Sequence, residues 1–424
     1  THLQSTASIG GAATFASTVT VVGAAALKSN VTVGGTLDVT GNTSVGGTFM
    51  ATGAATFDNN VSVSGNVNIG GTTTIAGAVS LASTLSVGGA SNFASTVTVV
   101  GAAALKSNVT VGGTLDIAGN TSIGGTLFVT GGITHDGDVS VSGNLAVGGN
   151  VSIGGTLSVT GAVSLASTLS VGGATNLAST VTVVGAAALK SNVTVGGTLD
   201  ITGNTSVGGT FMATGAATFD NHVSVSGNVN IGGTTTIAGA VSLASTLSVG
   251  GASNFASTVT VVGAAALKSN VTVGGTLDVT GNTSIGGTFL TTGKAEFEDD
   301  VSVSGNVNIG GTTTIAGAVS LASTLSVGGA TNFASTVTIA GAVSLASTLS
   351  VGGASHFAST VTVAGAAIFE DDVSVSGAVN IAGNTSVGGT FLATGKAEFE
   401  DDVSVSGALI VAGAAQFNST VTIA

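Results

Sequence analysis

Apolar and polar residues alternate along this chain in units of six residues that recur from one end to the other. Hexads such as VTVGGT (31–36), VSVSGN (61–66) and VNIGGT (67–72) place their apolar side chains at the first and third positions. We number the six positions as columns one to six. Because successive side chains of a strand point to opposite faces, this alternation predicts a short β-strand in every hexad, with columns one and three facing inward.

The period of six holds without interruption. The chain consists of 70 complete hexads and four further residues, and 66 of the 71 column-three positions are Leu, Ile, Val or Phe. Column five holds Gly, Ser, Asn or Asp, so we expect a corner there with positive φ, which Gly and Asn tolerate. A helix is excluded, because no helical periodicity develops and Gly and β-branched residues are too frequent.

Phenylalanine and the charged residues test the column assignment. Eleven of the 16 Phe lie in column three, and a column-one residue such as Phe49 is followed two positions later by a small residue, here Ala51. This compensation indicates that columns one and three share one close-packed core. No Asp, Glu or Lys lies in either column, as expected if a buried charge is costly. Phe128, in column two, is the one exception among the phenylalanines.

Hexads of this kind must stack into coils, which could have two sides, made of two hexads, or three sides, made of three. Residues 19–126 recur almost unchanged at 181–288, an offset of twenty-seven hexads, which is nine three-hexad coils but no whole number of two-hexad coils. We therefore predict an all-β protein, a single-chain parallel β-solenoid with three-sided coils of three hexads (eighteen positions), continuous over residues 1–424. About 23 coils would give a rod on the order of 110 Å long. Three chains wound around one axis are an alternative.

The hexads NVTVGGT (30–36) and NVSIGGT (150–156) resemble those of the hexapeptide-repeat family. That family folds as a left-handed parallel β-helix, so the resemblance implies a left-handed coil. The repetitive Ser, Thr, Gly and Val sequence is also similar, in style, to fibre proteins of large viruses and phages.

Composition excludes several classes of function. The chain has no Cys and no Arg, only four His, and a net charge of -13 with six Lys. Without Cys there is no disulfide scaffold and no thiolate site, and the negative charge argues against nucleic acid and against anionic membranes as partners. No apolar run approaches the roughly 18 residues that a membrane-spanning helix needs.

Four features could carry chemistry, and each has a simpler structural explanation. His135, the one polar ring in column three, stands beside Asp136 and Asp138, yet a metal site normally shows a second His. The acidic hexads could bind Ca²⁺, but their spacing does not form a ladder on one face; they occupy 295–300, 367–372 and 397–402. Exposed lysines recur in AALKSN hexads, at Lys28, Lys106, Lys190 and Lys268. Asn-x-Ser/Thr sequons arise from column six, as at Asn30, Asn42, Asn60 and Asn108.

We therefore predict no catalytic, cofactor-binding or metal-binding residues and no enzymatic activity. The favoured function is a structural shaft or filament, extracellular or on a virion or cell surface, because a binding or catalytic site normally needs a loop that breaks the period. The alternative is a surface adhesin or an ice-binding solenoid; an acyltransferase of the hexapeptide type would need such a loop. Expected partners are further copies of the chain, stacked head to tail or side by side, or an anchoring protein beyond its ends, since uncovered strand edges tend to pair.

Overall fold

The strands of the computed structural model, which describes residues 1–424, coincide with columns one to three of the hexads. Strand β1 is His2–Leu3, and every later strand has three residues, from β2 (Ala7–Ile9) to β71 (Val421–Ile423). Strand βn thus covers residues 6n − 5 to 6n − 3 for every strand after β1, and columns four to six form the corners. No helix is present that is long and apolar enough to cross a membrane.

Within residues 1–214 and within residues 215–424, strands pair in parallel with the strand three places further along the chain, so the register advances by 18 residues per turn. Val61 of β11 pairs with Val79 of β14, and Val67 of β12 pairs with Leu85 of β15. Three parallel sheets result: sheet A with β1, β4, β7 and so on, sheet B with β2, β5, β8 and so on, and sheet C with β3, β6, β9 and so on. The three-sided coil of 18 residues is confirmed, with about 23 turns in the chain.

The chain divides into two compact units, residues Thr1–Thr214 and Gly215–Ala424. Unit 1 contains β1 to β36 and unit 2 contains β37 to β71. Each unit by itself is a parallel solenoid with all three sheets, and a single chain closes its coils. A single continuous domain over all residues stays a prediction.

The core consists of columns one and three, as the alternation predicts. In β4 to β68 both outer residues of each strand are buried and the middle residue faces outward. The Phe49 ring packs edge to face against Phe57 across a corner, with ring centroids 5.9 Å apart, and Ala51 and Ala55 leave room for the two rings. Phe128 lies on the outer face and is 45% exposed, in agreement with its column.

The expectation of positive φ at column five is wrong, because no residue of the chain has a positive φ. Glycine is needed there for another reason, namely the close approach of consecutive coils. A Cβ built on Gly65 would lie 2.7 Å from the carbonyl carbon of Gly47 in the preceding coil. Gly11 lies in the first coil that the structure describes, and a Cβ there would have nothing within 4 Å. The restriction therefore comes from stacking and not from the φ angle.

The three faces of the coil accept the same sequence: the hexad VSLAST begins with β14 in sheet B, with β28 in sheet A and with β54 in sheet C. The segment VSVSGNVNIGG begins at residue 61 in sheet B, as β11, and at residue 301 in sheet C, as β51. Both strands bury their outer residues and expose the serine between them. The blocks that are offset by whole hexads but not by whole coils therefore fold equally well on different faces.

Candidate functional site

His135 lies in the core, as the third residue of β23 (Ile133–His135) in sheet B, and is only 1% exposed. Its Nδ1 lies 3.3 Å from the hydroxyl oxygen of Thr121, which belongs to β21 (Thr121–Ile123) in sheet C. Its Nε2 is buried without a hydrogen-bond partner. The ring therefore sits in the interior with Thr121 as its one side-chain hydrogen-bond partner.

Burial lowers the pKa of His135 from 6.5 to about 4. Removal of the ring from water disfavours the imidazolium, and this effect outweighs the carbonyl of Ile117 and the carboxylate of Asp136, which both act in the opposite direction. The imidazole is thus neutral at neutral pH. A neutral ring with no access to solvent cannot serve as a proton shuttle for an external substrate.

The two carboxylates beside His135 do not converge on its ring. Asp136 and Asp138 are exposed on the corner, whereas the imidazole points into the core. The Asp138 carboxylate accepts the backbone N–H of Thr156 at 3.0 Å, so it helps to join two coils. No group of three His, Asp or Glu side chains anywhere in the 424 residues is arranged to hold a metal ion.

The acidic hexads also make local structural contacts. Lys294 pairs with Glu296 at 2.9 Å, and Lys396 pairs with Glu398 at the same distance. Such exposed pairs contribute little stability, typically below about 1 kcal/mol. The hydroxyl of Ser419 and then the N–H of Thr420 donate to Asp402 and lower the pKa of its carboxyl group. The acidic residues of the three hexads thus line separate corners and form no common cation site.

The four lysines of the AALKSN hexads are exposed, and their backbone is already engaged. The N–H of Lys106 donates to the carbonyl of Val87 at 3.0 Å, and the N–H of Lys28 donates to the carbonyl of Ile9 at 3.0 Å. These bonds join consecutive coils, so the N–H groups are not available to cradle a phosphate. The lysines are single charges on the surface of each unit.

Asparagine and aspartate in column six have a role that the sequence alone did not reveal. The side-chain oxygen of Asn30 accepts the backbone N–H of Thr48 at 2.8 Å, and Asn108 accepts that of Thr126 at 2.9 Å. Asn42 and Asn60 continue the pattern, since Asn42 accepts from Asn60 and Asn60 accepts from Ala78. Each bond satisfies a corner N–H that faces no strand partner. The recurrence of Asn and Asp in column six is visible in the sequence. From the sequence alone, however, it explains only why Asn-x-Ser/Thr sequons are frequent.

The outer faces carry open grooves with small lining residues. One of them runs along sheet C of unit 1 and has a volume of about 580 Å³. Ser86, Ala104, Ser122, Ser140 and Ser158 form its floor, one from each of five successive coils. The carboxylate that lines the groove, Asp138, accepts the backbone N–H of Thr156 and is not hydrogen-bonded to a serine hydroxyl.

Comparison with protein-family models, with curated proteins and with solved structures finds no match for this chain. The coil geometry supports a repeat β-helix. Membership of the hexapeptide-repeat family and kinship with fibre proteins stay predictions.

Proposed function

We propose that this protein is a structural shaft, a β-solenoid that holds other parts of an assembly apart, and not an enzyme. The observation that supports this most is the absence of any insertion: each of the corners has three residues, from the first coil to the last. Catalytic and binding residues are usually carried by longer loops on a rigid scaffold. Here the scaffold is present and such loops are not.

The proposal includes the resemblances to the hexapeptide-repeat family and to fibre proteins. We infer a left-handed coil of the hexapeptide-repeat type and a place in an extracellular, virion-surface or cell-surface fibre. The hydroxyl-rich outer columns and the excess of acidic residues are compatible with an exposed surface in water.

Further copies of the chain are the partners we propose. At β71 (Val421–Ile423) the inward columns are open, and Ile423 is 54% exposed; at β1 (His2–Leu3) Leu3 is only half-buried. A strand edge with unpaired N–H and C=O groups pairs readily with another strand. Such an edge can be covered by more coils of the same polypeptide, by an anchoring protein or by a second copy.

Electron microscopy of the native source, with antibodies raised against this chain, tests the proposal. We expect labelled fibres or shafts, with the label repeated along them. Label confined to compact particles, or to the cell interior without any fibre, would contradict a shaft. Purified protein viewed at increasing concentration tests the self-association separately, because head-to-tail stacking should lengthen the particles.

A surface with ice-binding or adhesive activity is the second candidate, and the outer face of sheet A favours it. Thr56, Thr74, Asn92 and Thr110 lie in register on successive coils. The row is interrupted at Asp38 and Phe128, which an ice-binding plane would not tolerate well. Thermal hysteresis, the gap between the melting and freezing points of ice in a solution of the purified protein, distinguishes the two candidates. A clear gap would support ice binding, and no gap would favour the structural shaft.

A further inference from the structure

The coils are stacked loosely at column four of the corner after His135. The backbone N–H of Asp136 lies 3.4 Å from the carbonyl of Ile117, whereas the equivalent bond one coil earlier, from Ala118 to Val99, is 3.0 Å long. A Cβ built on Gly154, directly above Asp136, would be 3.5 Å from its nearest neighbour. At Gly124, which also lies in column four, the same test gives 2.7 Å.

This loose corner contains the one Asp-Gly sequence of the chain, Asp136–Gly137. The Asp136 carboxylate is exposed to water. The backbone N–H of Gly137 donates no backbone hydrogen bond. Gly137 also has no side chain to shield its nitrogen from the preceding carboxyl group. The two groups that must meet for an intramolecular reaction are therefore adjacent in the chain, and neither takes part in a hydrogen bond that holds it away from the other.

We propose that Asp136–Gly137 is a modification site at which the folded protein forms isoaspartate spontaneously. The backbone nitrogen of Gly137 attacks the side-chain carboxyl carbon of Asp136, a C–N bond forms and one water molecule leaves. The resulting five-membered succinimide is then hydrolysed by one water molecule. When the original backbone C–N bond breaks, the chain continues through the side-chain methylene of Asp136 as an isoaspartyl residue; no oxidant or cofactor is involved.

Neighbouring aspartates lack this combination. The carboxylate of Asp138 accepts the N–H of Thr156, and the nitrogen that would have to attack it, that of Val139, donates to the carbonyl of Thr156 at 3.0 Å. Asp116 is the middle residue of β20 (Leu115–Ile117), where the following residue is β-branched and buried. Both positions should react slowly, which makes them internal controls.

The modification would weaken this coil. An isoaspartyl residue adds one carbon atom to the main chain between β23 (Ile133–His135) and β24 (Val139–Val141). The corner would then be too long to keep both strands in register with the coil before them, where β24 pairs with β21 (Thr121–Ile123). Aged protein should accordingly be cleaved by proteases at this corner first.

The experiment is to incubate the folded full-length chain at neutral pH in water enriched in ¹⁸O and to analyse it by mass spectrometry. Trypsin cleaves after Lys106 and Lys190, so one peptide, 107–190, carries Asp116, Asp136 and Asp138 together. We expect one ¹⁸O atom and the fragment ions of isoaspartate at Asp136, accumulating at least tenfold faster than at the other two aspartates. Methylation of the aged protein by an isoaspartyl methyltransferase should rise in parallel.

Matched variants keep the outcome interpretable. Asp136→Glu preserves the charge but should abolish the signal, because closure to a six-membered imide is much slower. Asp136→Asn should accelerate it and release ammonia. The same chain unfolded in urea shows whether the method detects the reaction. If the unfolded chain reacts while the folded chain shows no excess at Asp136 over Asp116 and Asp138, the corner is rigid and the proposal is wrong.

Discussion

At the scale of single residues, the core tolerates hydroxyl groups that have no partner. Thr73 in column one is 1% exposed, and its hydroxyl makes no hydrogen bond. An unpaired buried hydroxyl costs free energy, whereas a methyl group of the same shape does not. The same situation recurs in other column-one residues, namely Thr43, Ser91, Thr175, Thr205, Thr235, Ser253, Thr283, Thr313, Thr331, Ser355 and Thr385. Each of these residues places a polar group in an inward column, and each lowers the stability of the folded coil.

We expect Thr73→Val to stabilise unit 1 by about 1 kcal/mol, because it replaces an unsatisfied hydroxyl by a methyl group of similar volume. The measurement is the free energy of unfolding in urea. Thr74→Val, one residue further and on the outer face, is the control and should change stability little. A loss of stability for Thr73→Val would mean that its hydroxyl has a partner in solution, such as a bound water molecule.

His135 makes the stability of its coil dependent on pH. Its pKa is lowered in the folded state, from 6.5 to about 4, so between these values the unfolded chain binds a proton that the folded chain does not. Stability therefore falls as the pH decreases from 6.5 to 4, by up to about 3 kcal/mol, and this contribution is constant above 6.5. The affected step is the opening of the coil around β23, since a solenoid opens locally.

The variant His135→Leu removes this titration and gives column three its usual residue type. We expect the difference in thermal stability between this variant and the natural chain to be larger at pH 5 than at pH 7. Ile153→Leu, at the same inward column one coil later, is the control for repacking and should show no such dependence. An equal difference at both pH values would show that the imidazole is hydrated in the folded protein.

At the scale of the strand and its corner, backbone approach between coils decides which residues are allowed. Column five contains Ser, Asn and Asp as well as Gly, but two such residues exactly one coil apart occur only at Asp401 and Ser419. Every other residue with a side chain in this column stacks on glycine in both directions, or on glycine at the one side where a coil exists. We infer that a corner has to shift to admit a Cβ against the coil before it, and that such shifts in two consecutive coils are disfavoured.

Gly65→Ala should therefore destabilise unit 1 by about 1–3 kcal/mol, because its Cβ would meet the backbone of Gly47 and Thr48 at 2.7 Å. Gly11→Ala, in the same column and on the same corner but in the first coil that the structure describes, is the matched control. There we expect no loss, or a gain of up to about 1 kcal/mol from the stiffer unfolded chain. Thermal melts of both variants provide the measurement, and similar losses in the two would reject the stacking explanation.

Much of the fold follows from the sequence because its causes are local or strictly periodic. The offset of twenty-seven hexads predicted the coil length, and Phe399 and Phe417, one coil apart in sequence, do stack with centroids 5.5 Å apart and rings nearly parallel. The role of glycine in column five could not be predicted, because it depends on the backbone of the neighbouring coil, whose distance is set only once the coil closes. The acceptor role of Asn30 and its equivalents was missed for the same reason.

At the scale of the whole molecule, the phase of the hexads matters more than the identity of any one of them. The three faces accept the same hexads, so a whole hexad can be lost without exposing the core; every later hexad is simply moved to the next face. A loss of three residues is different, because it places column six where column three belongs. Apolar side chains would then turn outward and polar ones inward over the affected coils.

Deletion of 37–42, one hexad, is therefore expected to leave the fold intact, whereas deletion of 37–39, one strand, should disrupt it. After the hexad deletion Asn59 would stack on Gly35 and no new pair of residues with side chains would meet in column five. After the strand deletion, β4 (Val19–Val21) and β10 (Ala55–Phe57) would lose the partner that lies between them, β7 (Leu37–Val39). Circular dichroism melts and proteolysis by a non-specific protease provide the measurements.

Deletion of 37–54, a complete coil, is the control for shortening itself, since it keeps every later residue on its own face. We expect this variant and the hexad deletion to melt within a few degrees of the natural chain and to resist proteolysis. The three-residue deletion should be cut near the junction and melt earlier, because a strand is missing from one side of the triangle. The six corner residues that remain, 34–36 and 40–42, cannot form two corners and also span that side. If all three deletions behaved alike, the stability of the solenoid would not depend on phase, and the uninterrupted period would no longer support a rigid shaft as the function.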